Sequence, residues 1–65
     1  MADAKIRSPR EIRQDAGVSM LNAAAEARVA LQTAARYELD PTSVRPDKKR
    51  RLDAVYARLA TLKAA

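Results

Sequence analysis

Neither cysteine nor histidine occurs in this chain. Without cysteine no disulfide can staple the fold, and the reducing interior of a cell is the natural setting. Without both residue types, the usual zinc sites and the common nucleophile–base pairs cannot be assembled. Gly17 is the single glycine, which rules out a glycine-rich phosphate loop. No apolar run approaches membrane-spanning length, and the charged start of the chain lacks the apolar core of a signal peptide. The expectation is a cytoplasmic protein that is not an enzyme, with no metal, no cofactor and no membrane partner.

Phenylalanine and tryptophan are missing too, so Tyr37 and Tyr56 supply all the aromatic bulk. A chain of 65 residues buries a small share of its surface, and its core is expected to be thin. Ile6, Ile12, Val18, Met20, Leu21, Val29, Leu31, Leu39, Val44, Leu52, Val55, Leu59 and Leu62 are the apolar residues available to fill it. Marginal stability, or support from a partner or a second copy, follows from that shortage.

What the chain does have is positive charge, unevenly placed. Up to Val44, Lys5, Arg7, Arg10, Arg13, Arg28 and Arg36 are balanced by Asp3, Glu11, Asp15, Glu26, Glu38 and Asp40. From Arg45 onward, Arg45, Lys48, Lys49, Arg50, Arg51, Arg58 and Lys63 face only Asp47 and Asp53, and this segment carries the whole net charge of +5. A polyanion is the obvious partner for such a segment, the bland alternative being a solvated basic helix face.

The periodicity is helical throughout, with no strand alternation. Residues 1–7 read as a flexible basic arm. Ser8-Pro9-Arg10-Glu11 is a helix start, with Ser8 as N-cap, Pro9 in the first turn and Glu11 closing a capping box. Gly17 suits a left-handed stop, and Ser19 is a second N-cap. The spacing predicts helices over about 20–27 and 31–38, separated by a tight turn at Arg28-Val29-Ala30. Asp40-Pro41 ends the second of these, because proline disfavours helix in the residue before it. Pro46 opens the longest helix, expected to run to about Leu62, with Leu52, Val55, Tyr56, Leu59 and Leu62 on one stripe. Two short helices joined by a three-residue turn, with a helix before and after, is the arrangement of a helix-turn-helix domain. A plain alanine-rich bundle is the alternative. The expected class is all-α, a compact domain of four to five helices over residues 8–63.

The stretch REIRQDAGVSMLNAAAEARVALQTAARYE, Arg10 to Glu38, resembles the lambda-repressor-like, or XRE-type, helix-turn-helix family. Ile12-Arg13 falls on that family's Leu-Arg pair, and Gly17-Val18-Ser19 on the Gly-Leu-Ser before its first motif helix. Ala24 matches the buried small residue where the motif helices cross. Val29, Thr33 and Arg36-Tyr37-Glu38 match the turn hydrophobe, the threonine and the closing Arg-x-Glu, with no gap. The sequence departs from the pattern at Arg28, where glycine is usual, at Ala30, where a capping serine is usual, and at Ala23, where leucine is usual.

The resemblance implies that Arg13 and Glu38 form a partly buried ion pair. It implies that helix 31–38 enters the major groove, with Leu31, Gln32, Ala35 and Arg36 toward base edges. Gln32 suits adenine, Arg36 suits guanine, and Leu31 or Ala35 a thymine methyl. Thr33 and, in the connector, Arg45 would meet phosphate. Lys48, Lys49, Arg50 and Arg51 are candidates on other grounds. Positive charge in the first turns of a helix opposes the macrodipole, so a run of it points to an external anion such as DNA phosphate. Lys5, Arg7 and Arg10 could reach a neighbouring groove.

The function these readings favour is sequence-specific binding of double-stranded DNA by a small transcriptional regulator of phage, plasmid or bacterial type, associated with the nucleoid. A homodimer or a partner protein on the same site is expected, because a single small module makes few base contacts. The alternatives are an excisionase-like factor that bends DNA and an antitoxin-like adaptor that binds protein instead.

Overall fold

A computed structural model describes residues 7–62 of the chain, and within them every regular element is helical. In order these are α1 (Pro9–Asp15), α2 (Met20–Ala27), α3 (Leu31–Leu39), a 3-10 turn (Pro41–Ser43) and α4 (Pro46–Leu59). The first helix starts as its local chemistry dictates. The Glu11 N–H donates to Ser8 Oγ at 3.2 Å, and the Ser8 N–H donates to Glu11 Oε1 at 2.9 Å. It stops at Gly17, whose φ is 72°, with the Gly17 and Val18 N–H groups donating to the Gln14 and Arg13 carbonyls. That pair of bonds satisfies carbonyls the helix end would leave orphaned.

α2 begins at Ser19, whose side chain accepts from the Asn22 N–H. It ends by the same geometry as α1, but on a residue with a side chain. Arg28 has φ 58° and ψ 46°, its N–H donates to the Ala25 carbonyl, and the Val29 N–H donates to the Ala24 carbonyl. Left-handed backbone costs a non-glycine residue roughly 1–2 kcal/mol. The chain accepts that cost to separate α2 from α3 by the expected turn at 28–30. Ala30 then starts α3 without any side-chain cap. At the far end the Asp40 carboxylate accepts from both the N–H and the hydroxyl of Thr42, which shapes the 3-10 turn leading to Pro46.

The last helix is shorter than its expected reach to Leu62. Past Ala60 the bonds tighten to three-residue spacing, Thr61 N–H to Arg58 and Leu62 N–H to Leu59. The Thr61 hydroxyl also donates to the Arg58 carbonyl at 2.7 Å, competing with helical continuation.

The core holds more alanine than leucine. Ala23, Ala24 and Ala27 of α2 and Ala34 of α3 are fully buried, with Tyr37, Val44, Leu52, Val55, Tyr56 and Leu59 around them. Small side chains let α2 and α3 approach closely, so alanine fills that contact where larger residues would push the helices apart. Position decides burial here, and it overturns part of the core expectation. Leu21, Leu31 and Leu39 are 64%, 48% and 88% exposed; Leu39 lies about 140° around α3 from Ala34, while Leu21 and Leu31 stand in the open first turns of α2 and α3, three residues before a buried alanine. Leu62 is exposed beyond the end of α4. Ile12, Val18, Met20 and Val29 pack half-buried around the rim of the core.

The expected arm at 1–7 needs a correction at its last residue. Arg7 donates to Asp15 Oδ2 at 2.7 Å and to the Ala60 carbonyl at 3.1 Å, tying the chain start to the end of α4. The rest of that arm, including Lys5 and Ile6, lies outside the described residues, as does Lys63.

Candidate nucleic-acid interface

α3 buries Ala34 and Tyr37 and half-buries Glu38. At about 100° per residue, the opposite side of the helix carries Gln32, Arg36 and Leu39. Leu31 and Ala35 flank that line on one side, and Thr33 on the other. Gln32 and Arg36 are exposed, while Thr33 and Ala35 are half-buried.

The Thr33 side opens onto a concavity of about 290 Å³ lined by Gln32, Thr33, Arg36, Ser43, Val44, Arg45 and Lys48. Three elements build it: α3, the connector and the first turn of α4. Val44 is buried and anchors the connector, which holds Arg45 at the edge of α3. Arg36, Arg45 and Lys48 bring three cations to this surface and no carboxylate lines it. Among the described residues none of the three is engaged by an acidic side chain.

The basic run at the start of α4 does not lie on one surface. Lys48 turns to the concavity, whereas Lys49 donates to Asp53 Oδ2 at 2.9 Å. Arg50 and Arg51 are exposed and take no part in the concavity. Arg50 lies on the side of α4 opposite Leu52 and Leu59, and Arg51 on the flank that also carries Arg58. Arg58 itself is paired with Glu26 of α2.

The surface is held in shape by the residues behind it. Arg13 Nε donates to Glu38 Oε2 at 2.5 Å and Nη2 to Oε1 at 3.3 Å, while Nη1 donates to the Val18 carbonyl at 3.1 Å. The side chains of this pair are 12% and 5% exposed, so the two charges are taken from water together. Tyr56 of α4 also donates to Glu38 Oε2. One carboxylate thus joins α1, α3 and α4. The Arg13 guanidinium holds its proton more tightly than usual, chiefly through the bond to Glu38.

A parallel link runs beside it. Tyr37 donates to Asp53 Oδ1 at 2.6 Å, and the Tyr37 and Tyr56 rings pack with centroids 5.1 Å apart. Burial, then the bond to Asp53, pushes the Tyr37 hydroxyl well above its ordinary range. Burial, then the bond to Glu38, does the same for Tyr56. The Tyr37 hydroxyl, with Lys49 second, holds the Asp53 carboxyl below its usual range.

Neither tyrosine bond is evident from the sequence. The signal that could have found them is general: a buried tyrosine hydroxyl needs a partner, and Glu38 and Asp53 are carboxylates within helical reach of that core. The place of Ser43 and Val44 in the concavity and of Leu39 on the surface is likewise set by the fold and not by local sequence. No protein-family profile, curated protein or solved structure matches this chain. Among the described residues no helix is long and apolar enough to cross a membrane, and no acidic cluster could hold a metal ion.

Proposed function

We propose that this chain binds double-stranded DNA sequence-specifically, as a small transcriptional regulator of the lambda-repressor-like kind, working on the nucleoid. α3 lies in the major groove, Gln32 meets adenine and Arg36 meets guanine. Arg45 and Lys48 grip phosphate beside it, with Thr33 as a neutral phosphate contact. Leu31 and Ala35 face the groove from the other flank of α3.

The observation that carries this reading is the concavity shared by Gln32, Thr33, Arg36, Arg45 and Lys48. It joins the two kinds of contact that duplex recognition needs, planar hydrogen-bonding side chains on the exposed side of a helix and, alongside, cations without an acidic partner among the described residues. The left-handed Arg28 and the Arg13–Glu38 pair support it, since both fall where the resemblance calls for a turn and a brace. Module size argues for two copies, or a partner protein, on one site.

The experiment is a selection of bound duplexes from random DNA, followed by affinity measurements across a salt series. Enrichment of a defined site, with affinity falling steeply as salt rises, is the expected result. Absence of binding at low salt would reject the proposal and favour a protein-binding adaptor.

A further inference from the structure

The two flanks of α3 differ. About 100° around the helix from the buried Ala34, Thr33 faces the cation-lined concavity; in the other direction stand Ala35 at about 100° and Leu39 at about 140°. This second flank is apolar. Ala35 and Leu39 join Met20 in lining a separate concavity of about 270 Å³, edged by Arg10, Arg13 and Glu38. Leu39 is 88% exposed, more than any other large apolar side chain among the described residues. A lone exposed leucine needs no explanation. One that lines an apolar hollow makes a patch, and the patch fits a definite cover.

That cover is a second copy of this chain. A protruding leucine and a hollow stand side by side, and a two-fold interface needs both on the same surface, so that each Leu39 enters the other's hollow. The charges match as well. Arg10, at the edge of the hollow, has no acidic partner among the described residues. Asp40, next to Leu39 in the chain, is exposed, and both bonds it accepts from Thr42 fall on Oδ1. Seating Leu39 therefore brings the Asp40 carboxylate toward the Arg10 of the other copy, twice over in the pair. A foreign helix laid in the hollow would make no use of a leucine protruding beside it.

We propose that two copies of this chain pair through Leu39, Ala35, Met20 and Arg10, and that the pair is excluded from the duplex; the second half rests on the DNA reading above. Ala35 and Leu39 both belong to α3. Setting Leu39 of each copy against Ala35 of the other lays the two α3 helices antiparallel, about 8–10 Å apart. Half-sites one helical turn apart hold their recognition helices about 34 Å apart. A single major groove, about 12 Å wide, admits one helix about 10–12 Å across. The paired α3 helices fit neither arrangement. Pairing thus holds the protein off DNA, and two copies sharing one site meet by a different surface.

Sedimentation of the free protein over a concentration series tests the pairing. A reversible monomer–dimer equilibrium is expected. It should tighten as salt screens the net charge of +5 on each copy, opposite to duplex binding. Each pair buries two leucines, so Leu39→Ala should weaken it roughly a hundredfold, about tenfold for each. Its melt by circular dichroism should stay that of wild type, because Leu39 is exposed. Monomer at every attainable concentration, or a dimer that Leu39→Ala leaves intact, overturns the proposal. The chain has no cysteine, so Leu39→Cys mixed with Met20→Cys reports on this contact. Mild oxidation should link these two, and link Leu39→Cys far less to Ala54→Cys, whose position is exposed on α4. The linked pair should lose most of its affinity for the selected duplex and regain it on reduction. A linked pair that binds as tightly as the reduced protein overturns the exclusion from DNA. If no form binds a duplex while Leu39→Ala still abolishes the dimer, the DNA reading falls and the interface stands.

Discussion

Arg28→Gly should make this protein more stable, and the sign of the change tests the architecture. Arg28 sits at φ 58° and ψ 46°, where a side chain costs roughly 1–2 kcal/mol. Glycine relieves that cost but adds about 0.5–1 kcal/mol of unfolded-chain entropy. The Arg28 side chain is exposed and, among the described residues, in no ion pair, so little else is lost. The net expectation is a gain of about 0.5–1 kcal/mol, worked from those two terms. For a domain this small, that raises Tm by roughly 3–6 °C. Arg28→Ala is the control, because it removes the same charge and keeps the Cβ atom; it should melt close to wild type. A single straight helix through residues 28–30 predicts the reverse order, since glycine in a helix interior costs about 1 kcal/mol and alanine is the best helix former. Thermal melts followed by circular dichroism at one pH and ionic strength decide the matter. A lower Tm for the glycine variant with a higher Tm for the alanine variant would refute the turn, and the groove-reading role of α3 with it.

Three further expectations concern the brace and the interface. Arg13→Met strands the Glu38 carboxylate in its buried site at a cost of about 3–5 kcal/mol, whereas adding Glu38→Leu should recover part of the loss; urea melts in which the double variant is the less stable would contradict this. Tyr37 and Tyr56 both hold their protons more tightly when folded than the ordinary value of about 10. Their contribution is therefore complete below pH about 10 and is lost as pH rises through the folded values. Denaturation midpoints measured toward alkaline pH should fall there, and fall less in Tyr37→Phe; a flat profile would speak against buried, bonded hydroxyls. At the interface, Arg45→Ala and Lys48→Ala should each flatten the slope of log affinity against log salt by about 0.9. Lys49→Ala and Arg50→Ala should change it little, and equal effects from all four would mean that the basic run acts as a diffuse cloud.

Where the helices lie was legible in the sequence because local chemistry marks their ends. Ser8, Glu11, Gly17, Ser19, Pro41 and Pro46 each act through bonds within a few residues, and such bonds need no knowledge of the fold. The turn at 28–30 was legible only through spacing, since neither Arg28 nor Ala30 signals a break by its own propensity. What sequence could not supply is which side of each short helix meets the others. Leu39 and Leu21 are apolar and lie outside; Ala23 and Ala34 are small and lie at the centre. Lys48 and Lys49 are adjacent and chemically alike, yet about 100° of helix rotation sends one to the concavity and the other to Asp53. The tyrosine bonds were hidden for the same reason, being long-range consequences of how α3 and α4 cross.

That division of neighbours explains where the net charge ends up. Each acidic residue within 7–62 already serves the fold. Glu11 caps α1, Asp15 holds Arg7, Glu26 holds Arg58, Glu38 holds Arg13 and Asp53 holds Lys49. Asp40 shapes the 3-10 turn, and Asp47 stands in the first turn of α4, where the helix dipole favours it. None is left over to screen Arg36, Arg45 or Lys48. Adding a carboxylate there is therefore the most direct perturbation of the proposed function. Ser43→Glu should leave the melt almost unchanged, because Ser43 is exposed and bonds only to the Asp40 carbonyl. It should nevertheless weaken duplex binding about as much as removing one of the three cations. If it melts normally and binds DNA as well as wild type, the concavity is not where the duplex sits.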